Sequence, residues 1–147
     1  MKIGDICDDL YPNENGQITS EQIIANCKAA YEKNKECNSI ITPIFKPSEV
    51  TFDPNNLLSC IPYSLKDNIT TQGILSTGGS AYLKNFIPPF NATAYGILKV
   101  NGATLVSKDS LDEFGLGGTG TFCFTGCGFD WSSFKIDYDE SPYVRKH

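Results

Sequence analysis

Long hydrophobic runs, basic clusters and histidine are all scarce in this chain. No run of about 18 apolar residues, the length a membrane-spanning helix needs, occurs in its 147 residues. The opening stretch, Met1 to Gly16, carries acids where a secretory signal requires an apolar segment, so a cytoplasmic protein is expected. No Lys/Arg cluster stands out and the net charge is −5. That argues against an autonomous nucleic-acid binder, which neutralises phosphates with a basic face. The single histidine is His147, and the six cysteines (Cys7, Cys27, Cys37, Cys60, Cys123, Cys127) contain no C-x-x-C pair. Irregular spacing without an export signal makes them reduced, partly buried thiols rather than a zinc or disulfide framework. Internal repeats and low-complexity tracts are also missing.

What remains is an ordinary globular composition, 40% hydrophobic and 20% charged, of one domain's length. Thr19 followed by Gln22 forms a capping-box pattern, with Ile18 and Ile23 placed as a hydrophobic staple. Ile23, Cys27, Ala30 and Tyr31 then recur at helical spacing, leaving Glu21, Lys28, Glu32 and Lys33 for solvent. This predicts an amphipathic helix from about Ser20 to Lys35. Asn38 to Phe45 is β-branched and apolar but interrupted by Pro43, hence a short or edge strand. A Pro/Asn-rich connector from Lys46 to Leu57 leads to an extended segment, Ser59 to Asn68, that ends at an Asp67-Asn68 turn.

Ile69 to Thr93 reads as loop, with one helical turn at Ser80 to Phe86 stopped before Pro88-Pro89. Asn91 is placed to cap a helix running to about Val100, with Gly102 past its end and a β-branched run, Ala103 to Lys108, behind it. Helix, glycine and buried strand form the second half of a crossover unit. The expected class is therefore α/β, with a parallel or mixed sheet and flanking helices. From Phe122 onward seven large aromatic residues crowd into a stretch with no sustained periodicity. A native aromatic edge hairpin and a tail joined to a broken reading frame fit that stretch equally well.

Two features bear on chemistry. Gly115, Gly117 and Gly120 spell G-x-G-x-x-G, but a dinucleotide loop follows a strand directly and opens a helix. Here Asp109 to Phe114 intervenes, no amphipathic helix follows, and the Lys-Ser/Thr of a Walker loop is missing. Lys66 ends an apolar extended stretch. It is either a solvated strand-end lysine or a desolvated one whose neutral amine serves as a base; local pattern does not choose.

The run from Pro62 to Thr121 resembles, without gaps and in order, the amidase-signature family, and within it the branch of the glutamyl-tRNA(Gln) amidotransferases. The resemblance rests on Lys66-Asp67-Asn68, Thr71 and Gly73, Pro88-Pro89, Asn91-Ala92-Thr93, Gly102-Ala103 and Asp112-Glu113-Phe114 before the glycine-rich loop. It extends less firmly to the start, giving a family portion at 1–121 and an aromatic-rich tail at 122–147; the connector looks shorter than is usual in the family. The fold it implies is the N-terminal portion of the amidase-signature fold, incomplete.

The resemblance further implies Ser-cisSer-Lys chemistry with Lys66 as the base, and places Gly117, Gly118 and Thr119 in a loop near the substrate. Glutamine would be the substrate, and ammonia would pass to partner subunits B and C, the partner using ATP and magnesium to amidate glutamate on tRNA(Gln). No cofactor or metal is implied for this chain itself, and tRNA is met only through the complex. The family's two serine-bearing segments, Gly-Gly-Ser-Ser-Gly-Gly-Ser and Gly-Gly-Ser-Ile-Arg, do not occur in this sequence. Ser80 imitates part of the first but lies upstream of where a nucleophile belongs. A truncated chain, inactive alone and association-prone at its uncovered edge, is therefore expected. The alternatives are a non-catalytic partner-binding fragment and a fragment of a general carboxamide amidase.

Overall fold

The computed structural model describes residues 20–46, 53, 55–56, 58–120 and 122–126. Helix α1 spans Ser20–Lys33. Ile23 and Ile24 are buried and Cys27 and Tyr31 half-buried along one stripe, while Glu21, Lys28, Glu32 and Lys33 face water. Glu21 lies in the first turn and Lys33 in the last, each at the end its charge favours. The helix stops short of Lys35 because Asn34 intervenes. Its side-chain amide donates to the Ala30 carbonyl at 2.8 Å, and the chain tightens into a 3₁₀ turn at Lys35–Cys37 that ends on Asn38 in the left-handed region, φ 47°. Thr19 and Ile18, the expected cap and staple, lie outside the described residues.

Three strands follow: β1 Ile40–Pro43, β2 Pro62–Lys66 and β3 Thr104–Asp109, in the order β1-β3-β2. β1 runs antiparallel to β3. Its position at the edge accommodates Pro43, which has no N–H to donate to a ladder. β2 runs parallel to β3, with Leu65 opposite Lys108 and Lys66 opposite Asp109. Parallel neighbours require a crossover, and helix α2, Thr93–Val100, supplies it. The sheet is thus mixed and flanked by helices, as the sequence predicts.

The start of α2 differs from expectation. Ala92, not Asn91, occupies the cap position, and no side chain caps the helix. The Asn91 side-chain oxygen instead accepts the Gln72 N–H at 2.7 Å, tying the helix entry to the loop after β2. Gly102 at φ +79° closes the other end, donating to the Lys99 carbonyl while Ala103 donates to Leu98. No residue of α2 is buried, and Ile97 and Val100 are 57% and 87% exposed. The predicted turn near Ser80 is a 3₁₀ helix at Ala81–Leu83, capped by the Ser80 hydroxyl.

Among the described residues the buried apolar side chains are those of Ile23, Ile24, Cys60, Leu65, Leu105, Leu111 and Cys123. Beside them sits a larger set of buried polar groups, including Asp67, Thr71, Ser76, Thr77, Ser80, Ser107, Lys108 and Asp112. The largest fully buried side chain among the described residues is a lysine, Lys108. Among the described residues no helix is long and apolar enough to cross a membrane.

Candidate functional site

Parallel strands present loops at their C-terminal ends, where open α/β sheets place their sites. β2 ends in Lys66 and β3 in Asp109. Strand alternation sends Leu65 inward and Lys66 outward, so Lys66 is exposed. Beside it on the ladder, Asp109 accepts from two hydroxyls: Ser64 Oγ donates to Oδ2, and Ser107 Oγ donates to Oδ1 at 2.9 Å.

Asp67, the next residue, turns inward and meets Lys108. The ammonium lies 3.5 Å from Asp67 Oδ1, and both side chains are fully buried. Lys108 Nζ also donates to the Ile69 carbonyl at 2.8 Å and to Ser76 Oγ at 2.9 Å. Burial pushes the Lys108 ammonium below the usual lysine value, against the pull of the Asp67 carboxylate. The other Asp67 oxygen accepts the Thr77 N–H at 2.7 Å and the Thr77 hydroxyl. One buried cation therefore fixes three points of the chain: the end of β2, the loop at Ile69 and the turn at Ser76-Thr77. Ser76 and Lys108 do not form a nucleophilic pair, because at 4% and 0% exposure no carbonyl carbon reaches that hydroxyl.

The glycine-rich loop does form a cradle, and its anion belongs to the chain. Asp112 Oδ2 accepts from the N–H groups of Thr119 (3.0 Å) and Gly120 (2.9 Å), and Oδ1 accepts from Phe122 (2.8 Å). Glycine at 117 is required by proximity, since a Cβ there would lie 2.2 Å from Asp112 Oδ2. Gly117, Gly118 and Thr119 are all exposed, with the Thr119 N–H turned to Asp112.

The same loop meets the lysine turn. A Cβ on Gly115 would lie 3.5 Å from Asn68 Nδ2, Phe114 N donates to the Gly78 carbonyl at 2.7 Å, and Ser80 Oγ donates to Glu113 at 2.5 Å. Two neighbouring stretches, Lys66 to Asn68 and Thr77 to Ser80, thus meet a third that lies over thirty residues further on, Asp112 to Gly115, at one end of the sheet. Ser80, fully buried, is a latch between two of them. Sequence reasoning missed Asp67 and Lys108 as a pair. The available signal was a lysine inside a β-branched run, which becomes the central strand because β1 and β2 pair on either side of it. Among the described residues, no group of three His, Cys, Asp or Glu side chains is disposed to hold a metal ion.

A family model described as Amidase matches residues 21–127. The A-type chain of the glutamyl-tRNA(Gln) amidotransferase of Mycoplasma genitalium is 45% identical over 107 residues, which cover 71% of this chain and 22% of that protein. The chain of the same name from Mycoplasma pneumoniae is 57% identical over 72 residues, 49% of this chain and 15% of that one. The crystal structure of the corresponding glutamyl-tRNA(Gln) amidotransferase chain from Thermotoga maritima superposes with a TM-score of 0.60 at 26% identity, covering 71% of this chain and 23% of the other. The chain spans about a fifth of the length of these relatives.

Proposed function

This chain belongs to the amidase family, and from that premise we propose that it is the N-terminal portion of the glutamine-hydrolysing component of an amidotransferase, with Lys66 as its catalytic base. In the proposed reaction the Lys66 amine, exposed in this portion and a base only where the rest of the enzyme covers and desolvates it, takes a proton from a bridging serine, which takes one from a nucleophilic serine. The nucleophile attacks the glutamine carboxamide, the proton held by Lys66 returns through the bridging serine to the nitrogen, the C–N bond breaks to release ammonia, and water cleaves the resulting acyl ester. Gly117, Gly118 and Thr119 would border the substrate, and the family portion would run to about residue 121. The ammonia would go to partner subunits B and C of a cytoplasmic complex, in which ATP and magnesium serve the amidation of glutamate on tRNA(Gln).

The observation that carries this reading is the placement of Lys66. It stands exposed at the C-terminal end of β2, on the loop cluster that joins the Lys-Asp-Asn turn to the glycine loop. Four serine hydroxyls of the described residues have partners of their own: Ser64 and Ser107 donate to Asp109, Ser76 accepts from Lys108, and Ser80 donates to Glu113. With these hydroxyls engaged and the family's two serine-bearing segments missing from the sequence, the isolated chain is proposed to be inactive. Ammonia release from glutamine by the purified chain tests this. The expected result is background release, unchanged by Lys66→Ala; robust release abolished by that substitution would refute the proposed inactivity.

A second reading, a non-catalytic partner-binding fragment, is favoured by the exposed apolar residues Phe90, Ile97, Val100 and Leu116. Pull-down against amidotransferase subunits B and C distinguishes it, and no capture at micromolar concentration counts against it.

A further inference from the structure

One face of the sheet, at its C-terminal end, carries an acid directly beside the proposed base. In the register of the parallel pair Lys66 lies opposite Asp109, on strands that run ~4.8 Å apart. Alternation along each strand puts Ser64 on the face of Lys66 and Ser107 on that of Asp109, so four polar side chains share one surface. Ser64 and Lys66 are exposed, Asp109 is half-buried and Ser107 is buried. An ammonium and a carboxylate on paired strand positions attract each other.

Yet these two form no ion pair. Among the described residues the pairs are Lys35 with Glu32 and Lys108 with Asp67. Both Asp109 oxygens are taken by hydroxyls instead: Ser64 Oγ donates to Oδ2, and Ser107 Oγ donates to Oδ1 at 2.9 Å. Ser107 is 2% exposed, so packing fixes its hydroxyl, while Ser64 reaches the carboxylate from the strand that also carries Lys66. The other acids at this end of the sheet have partners of their own. Asp67 faces Lys108, Asp112 accepts from the amides of Thr119, Gly120 and Phe122, and Glu113 accepts from Ser80. Asp109 is thus the carboxylate in register with Lys66, and two serines decide where its oxygens point.

Resting on the reading of Lys66 as the base, we propose that Ser64 and Ser107 are positioning residues acting through Asp109: by engaging both of its oxygens they keep the Lys66 amine unpaired. The reason is electrostatic. A carboxylate that closes on the amine favours the ammonium form, which accepts no proton. It also ties a long side chain to one geometry, where a base has to reach the hydroxyl it deprotonates. Hydrogen bonds from two hydroxyls stabilise the Asp109 charge where it stands. Lys66 is left free to turn toward a serine brought by another part of the enzyme.

Acetic anhydride modifies unprotonated amines, so the acetylation rate of each lysine in the purified full chain, read by peptide mass spectrometry at several pH values, reports pairing without any turnover. Lys84, exposed, serves as the internal reference. Ser64→Ala combined with Ser107→Ala frees the Asp109 carboxylate and should slow Lys66 relative to Lys84 by about two- to fivefold, the range an exposed ion pair supports, with the far-UV circular dichroism unchanged. Adding Asp109→Asn to that double variant should restore the parent rate, which a merely structural loss of two hydroxyls would not allow. Ser64→Thr keeps its hydroxyl and should label like the parent. If the double variant loses its folded signal, Ser64→Ala alone, at an exposed position, carries the same expectation. A parent-like Lys66 rate in the folded serine variant overturns the proposal, as does slowing that persists once Asp109→Asn is added. So does a gain from Asp109→Asn alone as large as the loss in the serine variant, which would mean that Asp109 already pairs with Lys66. Labelling needs neither glutamine nor a nucleophilic serine, so its outcome is separate from the ammonia-release test of Lys66 as the base.

Discussion

Removing the ammonium of Lys108 breaks a fully buried ion pair. Lys108→Ala takes the cation from a site with no solvent exposure and leaves the Asp67 carboxylate buried without its counter-charge. It also frees the Ile69 carbonyl and Ser76 hydroxyl from their common donor. Breaking one side of a buried ion pair costs about 3–5 kcal/mol, against a total of about 5–15 kcal/mol for an ordinary domain. Against that total, the variant should be largely unfolded at room temperature. The double substitution Asp67→Asn with Lys108→Met removes both charges, keeps most of the volume and leaves an amide oxygen for Thr77. Neutral replacement of a buried pair is often harmless, so the double variant should regain most of the lost stability. Urea unfolding followed by circular dichroism measures both. A Lys108→Ala chain within about 0.5 kcal/mol of the parent, or a double variant no more stable than the single one, would refute the reasoning.

Three further outcomes follow from the same geometry. Asp112→Ala leaves three backbone N–H groups without their acceptor, and hydrogen exchange should show the amides of Thr119, Gly120 and Phe122 losing protection while those of β3 keep theirs. Gly117→Ala should give the same local pattern, because its methyl would stand 2.2 Å from a carboxylate oxygen. Tyr63 provides a pH signature: burial, followed by the neighbouring Tyr95, pushes its hydroxyl up to about 12 from 10.0. The folded chain then holds a proton that the unfolded chain has released, so stability should fall as pH rises from 10 toward 12. Tyr63→Phe should abolish that contribution without destabilising the chain at neutral pH, since the buried hydroxyl has no hydrogen-bond partner to lose.

The elements are legible where one physical signal dominates. The stripe of Ile23, Cys27 and Tyr31 announces α1, and the helix-glycine-strand order around Gly102 announces the crossover and hence the parallel pair β2 and β3. Pro43 marks β1 as an edge strand. Side-chain assignments at element ends are less legible, because polar side chains have rival partners that only the fold brings near. Asn91 has the chemistry of a helix cap and uses it on Gln72; Asn34 ends α1 early by bonding back to Ala30. The candidate site shows the same division. Lys66 is visible as a lysine closing an apolar strand, whereas Lys108 becomes significant only once the crossover makes its strand central and sets Asp67 beside it. The neighbours of the glycine spacing mark it as non-nucleotide, but that it wraps Asp112 follows from the three-dimensional curl alone.

That curl also makes the loop a receptor whose ligand is covalently attached. The Asp112 carboxylate is joined to the amides it satisfies by only seven to ten residues. Its effective concentration at the loop is therefore at least of the millimolar order expected for a short tether, and higher to the extent that burial holds it in place. A free phosphate or carboxylate in solution would have to outcompete an anion that never diffuses away. The same backbone that elsewhere recruits a cofactor is here saturated from the moment the chain folds.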